Sequence, residues 1–402
     1  MKVVFLGNLN EGVWQLRHDL FASMIHNGCE ITALLPEGPK TQALNNIGVQ
    51  VRYVTFNRFV SFRHDFIYLF EVYRHIKEIK PDVVFANTIK PNTFGMIAAK
   101  WAGVPRRVGS VAGSGRSFDP PKSWRDRFIN RIVLTLYRMG GKRADMFWFQ
   151  NGDDLELFNS LRIIPREKSL LVRGSGINLN DFSPELVDAN EIVQLRAELN
   201  LSPDTIVITM IGRVIWPKGV GEFIEASRIA KNWKRKVRFL LIGALDLNDK
   251  NNSIGEDFLK QTDTFQWLGN RRDIKNILSL SDIVTLPSYF REGVPRSLLE
   301  GLAMGKPIVT TDSPGCRETV EEEINGFLIP PKNPEALANV LKILVDDTEK
   351  RILFGKESLR KAHQEFSNSI VHQKLLQSFL GIDNPVIPRI RTTQDDNNIE
   401  FI

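Results

Sequence analysis

Short, continuously apolar runs alternate with longer stretches of helical periodicity along almost the whole of this 402-residue chain. The runs fall at 2–8, 30–35, 50–56, 82–87, 107–111, 146–150 and 169–173. They resume at 206–212, 237–243, 264–268, 282–287, 307–311 and 326–329. A strand with one wet face alternates apolar and polar residues. Most of these runs do not, so they read as strands buried on both faces, as in a parallel sheet covered by helices. Helical patterns lie between them, at 11–27, 65–80, 220–232, 297–304 and 334–346. Repeated strand–helix alternation closes through right-handed crossovers, which makes the expected class α/β with doubly wound sheets.

The rhythm breaks once, between about 177 and 205, in a polar segment holding Ser183-Pro184 and Leu201-Ser202-Pro203-Asp204. A boundary here predicts domains over 1–178 and 179–382, each long enough to bury its own core. The remainder, 383–402, carries prolines and then a polar stretch, and is expected to be flexible. Two such domains would face each other across a cleft, with ligands beyond the carboxyl ends of the strands.

Hydrophobic residues at 42% and charged residues at 25% fit a soluble globular chain. The net charge of +6 suits acidic substrates, an anionic membrane face or nucleic acid, and does not choose among them. Cys29 and Cys316 have no zinc or CxxC spacing, and read as reduced thiols of a cytoplasmic protein. Met1–Gly7 reads as a first strand rather than a secretory segment, and no apolar stretch is long enough to span a bilayer.

The strongest constellation is Ser288-Tyr289-Phe290-Arg291-Glu292-Gly293-Val294-Pro295-Arg296-Ser297-Leu298-Leu299-Glu300, directly after the run at 282–287. Gly293 permits close backbone approach, and Pro295 suits the first turn of a helix, where a missing N–H costs nothing. The N–H groups of Val294, Arg296 and Ser297, with the helix dipole, then offer a site for a diphosphate. Glu292 in the loop and Glu300 about two turns later can grip two parts of one extended ligand. A second constellation, Ile211-Gly212-Arg213-Val214-Ile215-Trp216-Pro217-Lys218-Gly219, follows the first run of the second half. Arg213 supplies a planar fork and Lys218 a point charge, a pair able to offset charge on a leaving nucleoside diphosphate.

Together these segments resemble glycosyltransferase family 4. Glu292 and Glu300 match its E-x(7)-E signature, and Arg213 with Lys218 match its basic pair. Gly301-Leu302-Ala303-Met304-Gly305-Lys306-Pro307, then Pro314-Gly315-Cys316-Arg317-Glu318 and Asn325-Gly326-Phe327-Leu328, continue the likeness. The resemblance implies a retaining enzyme of GT-B architecture, two Rossmann-like domains, with an acceptor-binding N-terminal domain and a nucleotide-sugar-binding C-terminal domain. It implies that Glu300 holds the ribose hydroxyls of the donor. Glu292, with backbone at Gly293, Val294 and Pro295, would contact the donor sugar. Arg213 and Lys218 would bind the diphosphate, Gly269 and Asn270 would line the base pocket, and Gly212, Arg296 and Ser297 complete the donor set. The donor is expected to be UDP-linked, with no cofactor and no metal. Glu292 is not read as a nucleophile, because the family's usual account is front-face departure and attack.

Lys90-Pro91-Asn92, Ala102-Gly103-Val104-Pro105, Gln150-Asn151-Gly152-Asp153-Asp154 and Gly174-Ser175-Gly176-Ile177 resemble the bacterial members that extend lipid-diphosphate-linked saccharides. Such members serve surface polysaccharides, among them lipopolysaccharide and capsule. Ala112-Gly113-Ser114-Gly115 stands where such enzymes often carry T-G-L-G. Lys90, Ser114, Gly115 and Arg116 are the expected acceptor contacts. The stretch 116–143 interleaves arginines with Trp124, Phe128, Ile129, Ile132, Val133 and Leu136. At helical spacing these form one stripe, read as packing on the N-terminal sheet, with the basic face available to an anionic inner membrane.

Asp246-Leu247-Asn248-Asp249 reads as a solvated loop rather than a metal site, and Asp153-Asp154 as helix-capping residues. Neither Gly113-Ser114-Gly115 nor Gly174-Ser175-Gly176 completes a dinucleotide fingerprint, and no nucleic-acid motif is present. Two other classes compete with transfer. A sugar-nucleotide 2-epimerase of the same architecture needs an acid/base arrangement that is not found. A non-catalytic scaffold subunit would not need all four charged donor residues.

Overall fold

Among the described residues each of the thirteen apolar runs holds a strand, and thirteen α-helices alternate with them or follow them. A computed structural model describes residues 1–57, 61–118, 123–246, 252–393 and 397–401, and the backbone alone at Phe62, Arg116, Ser117 and Phe401. The chain divides into two compact units, Met1–Asn178 with Asn368–Ile402, and Leu179–Ser367.

The first unit opens with β1 (Lys2–Leu6), α1 (Asn10–His26), β2 (Glu30–Leu35), α2 (Thr41–Asn46), β3 (Gln50–Tyr53) and α3 (Phe62–Ile79). It continues with β4 (Val83–Asn87), α4 (Met96–Trp101), β5 (Arg106–Val111), α5 (Trp124–Gly141), β6 (Met146–Phe149), α6 (Gly152–Ser160) and β7 (Ser169–Leu171). The strands pair in the order β3-β2-β1-β4-β5-β6-β7, parallel throughout. Val13, Trp14 and Phe21 of α1 seal one core cluster, while Tyr68 and Val72 of α3, Met96 of α4 and Tyr137 of α5 seal another. This double cover is the physical reason the strands read as continuous apolar runs.

In the second unit α7 (Ala189–Glu198) precedes β8 (Ile206–Ile211), α8 (Val220–Ala230), β9 (Val237–Ile242), β10 (Phe265–Trp267) and α9 (Ile274–Leu280). Then come β11 (Ile283–Leu286), α10 (Arg296–Ala303), β12 (Ile308–Thr311), β13 (Gly326–Ile329), α11 (Pro334–Asp346) and α12 (Thr348–Lys361). The order β10-β9-β8-β11-β12-β13 is again all parallel, and β8 and β11 lie side by side with Ile208 opposite Ile283. The sheet therefore changes direction of winding between β8 and β11, and a doubly wound sheet opens its ligand crevice at such a switch point.

The last 35 residues correct the expected domain limits. Helix α13 (Asn368–Leu380) belongs to the first unit, not the second. Its Val371, Leu375, Leu376 and Phe379 are fully buried, and the Phe379 ring lies 5.3 Å from Phe85 and 6.0 Å from Trp148. Burial of each such side chain is worth about 2 kcal/mol, so the helix docks where an apolar sheet face awaits it. Nor is the stretch after residue 382 a free tail. Val386 exchanges two hydrogen bonds with Asn27, and β14 (Ile390–Thr392) pairs antiparallel with β15 (Ile399–Phe401). Ile390 and Ile399 pack on Ala22 of α1, and Asn178 Nδ2 donates to the Ile390 carbonyl at 3.0 Å. Two isoleucines and an asparagine amide supply the anchoring that a polar composition concealed.

Helix α5 also departs from expectation. Val133, Tyr137, Gly140 and Gly141 are buried, but Trp124, Phe128 and Ile129 stand exposed. A Cβ at Gly140 would lie 2.0 Å from the Asn92 carbonyl oxygen, so the absent side chain draws the helix's last turns onto the body and leaves the first turns outside. No helix among the described residues is long and apolar enough to cross a membrane.

Candidate active site

Two loops meet at the carboxyl edge of the second sheet, one after β8 and one after β11. The β8 loop passes Gly212 and Arg213 and closes in a single tight turn, Trp216–Lys218, before α8. Gly219 ends that turn at φ 84°, and a Cβ there would lie 2.1 Å from the Pro287 carbonyl oxygen. Only glycine meets both demands. The Pro217 carbonyl then accepts from the amides of Tyr289 at 2.9 Å and Phe290 at 3.1 Å, which locks one loop to the other.

The lock brings two expected site residues into contact. Lys218 Nζ lies 2.6 Å from Glu292 Oε1, each side chain only 13% exposed. Ser288 Oγ is 3.0 Å from the same carboxylate oxygen. Beneath them, Thr311 and Ser313 hydroxyls donate to the Ser288 carbonyl. Gly315, at φ 78°, sits so close that a Cβ would meet the Gly293 carbonyl oxygen at 1.6 Å. Cys316 is buried below. Loss of solvent pushes its thiol up to about 11, the nearby Glu292 charge adds to that, and hydrogen bonds with Thr310 and Ser313 oppose it. This thiol is a packed side chain rather than a nucleophile.

Gly293, Val294 and Pro295 are buried and lead directly into α10. Pro295 occupies the position before the helix instead of its first turn. Its ψ of 123° is extended, and its carbonyl accepts from the amides of Leu298 and Leu299. Ser297, second residue of α10, has its amide at the positive end of the helix dipole. Glu300 is buried on the same helix, 3.0 Å from Arg296 Nε. Burial raises the Glu300 carboxyl above its usual range, and the Arg296 charge partly offsets the effect.

Arg213 Nη1 lies 3.0 Å from Asp246 Oδ2. Gly269, at φ 66° after β10, accepts from the Gly243 amide at 2.8 Å, and Asn270 beside it is exposed. Both sit on the carboxyl edge, so the donor residues expected from sequence share one rim of the second unit. Of the acidic triplet after β9 only Asp246 is described, and Leu247, Asn248 and Asp249 lie outside the described residues. Among the described residues no group of three or more His, Cys, Asp or Glu is placed to hold a metal ion.

The expected acceptor residues of the first unit fare differently. Lys90 is buried, with Nζ 2.5 Å from Asp65 Oδ1 and 2.7 Å from the Asn57 carbonyl oxygen. Its ammonium holds the start of α3 to the turn after β4, and this corrects the reading of an open acceptor contact. Ser114 is buried too. Its Oγ donates to Asp154 Oδ1 at 2.6 Å and its amide to Oδ2 at 3.0 Å. Gly115, at φ 60°, follows in a short turn. The side chain of Arg116 lies outside the described residues. Sequence reasoning assigned Asp154 to helix capping and missed its tie to Ser114. Asn151, not an aspartate, caps α6, and the first-turn Asp154 reaches back to fix the Ser114 loop. The signal was present as an asparagine three residues before a second acid.

Two parallel-sheet domains of Rossmann-like winding, with the candidate site at the switch point of the second, are the arrangement of GT-B architecture. Residues 192–360 match the family model described as glycosyl transferases group 1, and residues 2–151 match that of the glycosyl transferase 4-like domains. The chain belongs to this glycosyltransferase family. It is 31% identical over 384 residues, 94% of this chain and 98% of the relative, to the N,N'-diacetylbacillosaminyl-diphospho-undecaprenol alpha-1,3-N-acetylgalactosaminyltransferase of Campylobacter jejuni. It is 29% identical, over 84% of this chain and 86% of the relative, to the UDP-Gal:alpha-D-GlcNAc-diphosphoundecaprenol alpha-1,3-galactosyltransferase of Escherichia coli. In fold it is similar to Anabaena HepE solved with UDP-glucose, with a TM-score of 0.79 at 21% identity over 95% of this chain and all of that one.

Proposed function

We propose that this glycosyltransferase moves a hexose or N-acetylhexosamine, with retention, from a UDP-linked donor to a lipid-diphosphate-linked saccharide in surface polysaccharide or glycan synthesis. The observation that carries the donor half is the Lys218–Glu292 pair at the switch point, two residues before Val294 and eight before the buried Glu300. Lys218 and Arg213 bind the diphosphate, with Gly212 leaving room for it. Glu292 leaves Lys218 for the sugar hydroxyls, joined by backbone at Gly293, Val294 and Pro295. Glu300 takes the two ribose hydroxyls, Arg296 and Ser297 complete the phosphate rim, and Gly269 and Asn270 border the base.

As the glycosidic bond breaks, negative charge gathers on the leaving diphosphate. Lys218, Arg213 and the positive end of α10 stabilise it where it forms, so the reading needs neither metal nor cofactor. The acceptor half rests on the similarity to two enzymes named for diphospho-undecaprenol-linked saccharides. In the first unit Ser114, Gly115 and Arg116 border the acceptor. Exposed Trp124, Phe128 and Ile129, beside exposed Arg125, Arg127 and Arg131, fit the anionic cytoplasmic membrane surface on which such an acceptor resides.

The test supplies radiolabelled UDP- and GDP-sugars with a lipid-linked acceptor extract and follows label into organic-soluble product. Incorporation from one donor, lost in Glu300→Ala and Arg213→Ala, is the expected result. Absence of incorporation together with absence of nucleotide binding by calorimetry overturns donor use. Sedimentation with anionic vesicles, lost when Trp124, Phe128 and Ile129 are changed to serine, checks the membrane reading.

A further inference from the structure

Three cations on the carboxyl rim of the second unit are each paired with a carboxylate. Lys218 faces Glu292, Arg296 faces Glu300, and Arg213 faces Asp246. Two of these carboxylates have donor hydroxyls to move to under the reading above. Asp246 has none. An anion that takes Arg213 Nη1 displaces Asp246, and the displaced carboxylate stays beside it.

Asp246 is also the better-fixed partner. Its side chain is 16% exposed against 48% for Arg213. The backbone before it runs on from β9 alongside the β8 loop. The Gly212 amide donates to the Ile242 carbonyl, the Val214 amide donates to the Ala244 carbonyl, and Val214 bridges Leu245. Gly243 makes the approach possible, since a Cβ there would stand 1.8 Å from the Gly212 carbonyl oxygen. Arg213 is thus the arm that moves, and Asp246 the post it returns to.

We propose that Asp246 competes with the diphosphate for Arg213 and thereby sets the release of the nucleoside diphosphate product. The inference rests on the donor role of Arg213 given above. Donor and product both carry the diphosphate, but the product has lost its sugar and exposes a further ionised phosphate oxygen. A fixed carboxylate repels the product more than the donor. Asp246 therefore weakens both and favours departure of the spent nucleotide.

The experiment compares the full chain with Asp246→Asn, which keeps shape and removes the charge. Calorimetry with UDP, UDP-N-acetylhexosamine and inorganic diphosphate is run at two salt concentrations. Asp246→Asn tightens UDP by about two- to five-fold, the range of a partly exposed ion pair, and tightens the sugar nucleotide less. Product inhibition by UDP rises with it. In an Arg213→Ala background the competition is gone and only the direct repulsion is left, so Asp246→Asn tightens UDP less than it does in the unaltered chain. Weaker or unchanged UDP binding in Asp246→Asn overturns the proposal, because Asp246 would then be orienting Arg213 or doing nothing. A second variant, Asp246→Ser, gives the same sign if charge is the cause, and the opposite sign overturns it. If the unaltered chain binds neither UDP nor GDP, the donor reading itself falls, an outcome distinct from binding that ignores Asp246.

Discussion

Glu300→Gln moves stability and donor binding in opposite directions. The carboxylate is buried at the centre of α10, and its partner Arg296 is a quarter exposed and remains hydrated without it. Removing the charge costs the exposed-type helical pair, about 0.3–0.5 kcal/mol, and relieves a larger desolvation penalty. A net gain of about 1 kcal/mol raises the melting temperature of the ligand-free protein by roughly 2–4 °C. Donor binding suffers instead. A carboxylate that accepts two ribose hydroxyls makes charge-assisted bonds of about 1.5–3 kcal/mol each, and the amide keeps one neutral acceptor. A loss near 3 kcal/mol weakens the donor roughly a hundredfold. The pH dependence has a fixed sign. Burial raises the Glu300 carboxyl, so the folded state holds the proton longer than the unfolded chain. Stability of the free protein therefore falls as pH rises from the unfolded carboxyl value through the raised folded one, while donor affinity climbs over the same window. Calorimetric donor titrations and thermal melts across that window test both trends, and Glu300→Gln flattens both. An unchanged donor Kd would falsify the ribose role. A lower melting temperature would show that Arg296 more than repays the burial of the charge.

Gly315→Ala must push the Glu292–Gly293 backbone away, since its Cβ would lie 1.6 Å from a carbonyl oxygen at a positive φ. Donor turnover drops at least about a hundredfold and the melting temperature falls, and a variant with unaltered kinetics refutes the close packing. Asp154→Ala removes the buried acceptor of the Ser114 amide and hydroxyl and of the Asn151 amide, at a stability loss of about 3 kcal/mol. Its acceptor KM rises while UDP binding by calorimetry stays constant, and a change in UDP affinity instead contradicts the assignment. His372 is buried, and loss of solvent lowers its pKa to about 4, eased by Asp19 and reinforced by Arg17. The unfolded chain takes up that proton first, so stability is intact above about 6.5 and declines by roughly 3 kcal/mol as pH falls to about 4. Urea titrations of His372→Leu across that range lose the dependence, and an undiminished slope assigns it elsewhere.

The sequence determined the elements because burial on two faces writes itself into composition. All thirteen apolar runs are strands, and the helices at 220–232, 297–304 and 334–346 end within a few residues of where periodicity placed them. It also singled out Glu292, Glu300, Arg213 and Lys218, which share one rim of the second unit, because they lie in short segments whose glycines and prolines fix local backbone. Partnership across distance was not legible. Lys90 looked like a surface cation until Asp65, from α3, closed on it. Asp246 looked like solvated loop until β9 carried it beside Arg213. The order of strands is the deciding case. Nothing in the run at 206–212 says that its neighbour is the run at 282–287, yet that adjacency puts Lys218 against Glu292. Likewise the apolar face of α13 says that it must be covered, and only the free face of the first sheet decides by what. Local propensity and burial act residue by residue and leave their mark in the sequence, whereas pairing depends on which surfaces remain uncovered once the whole chain has packed.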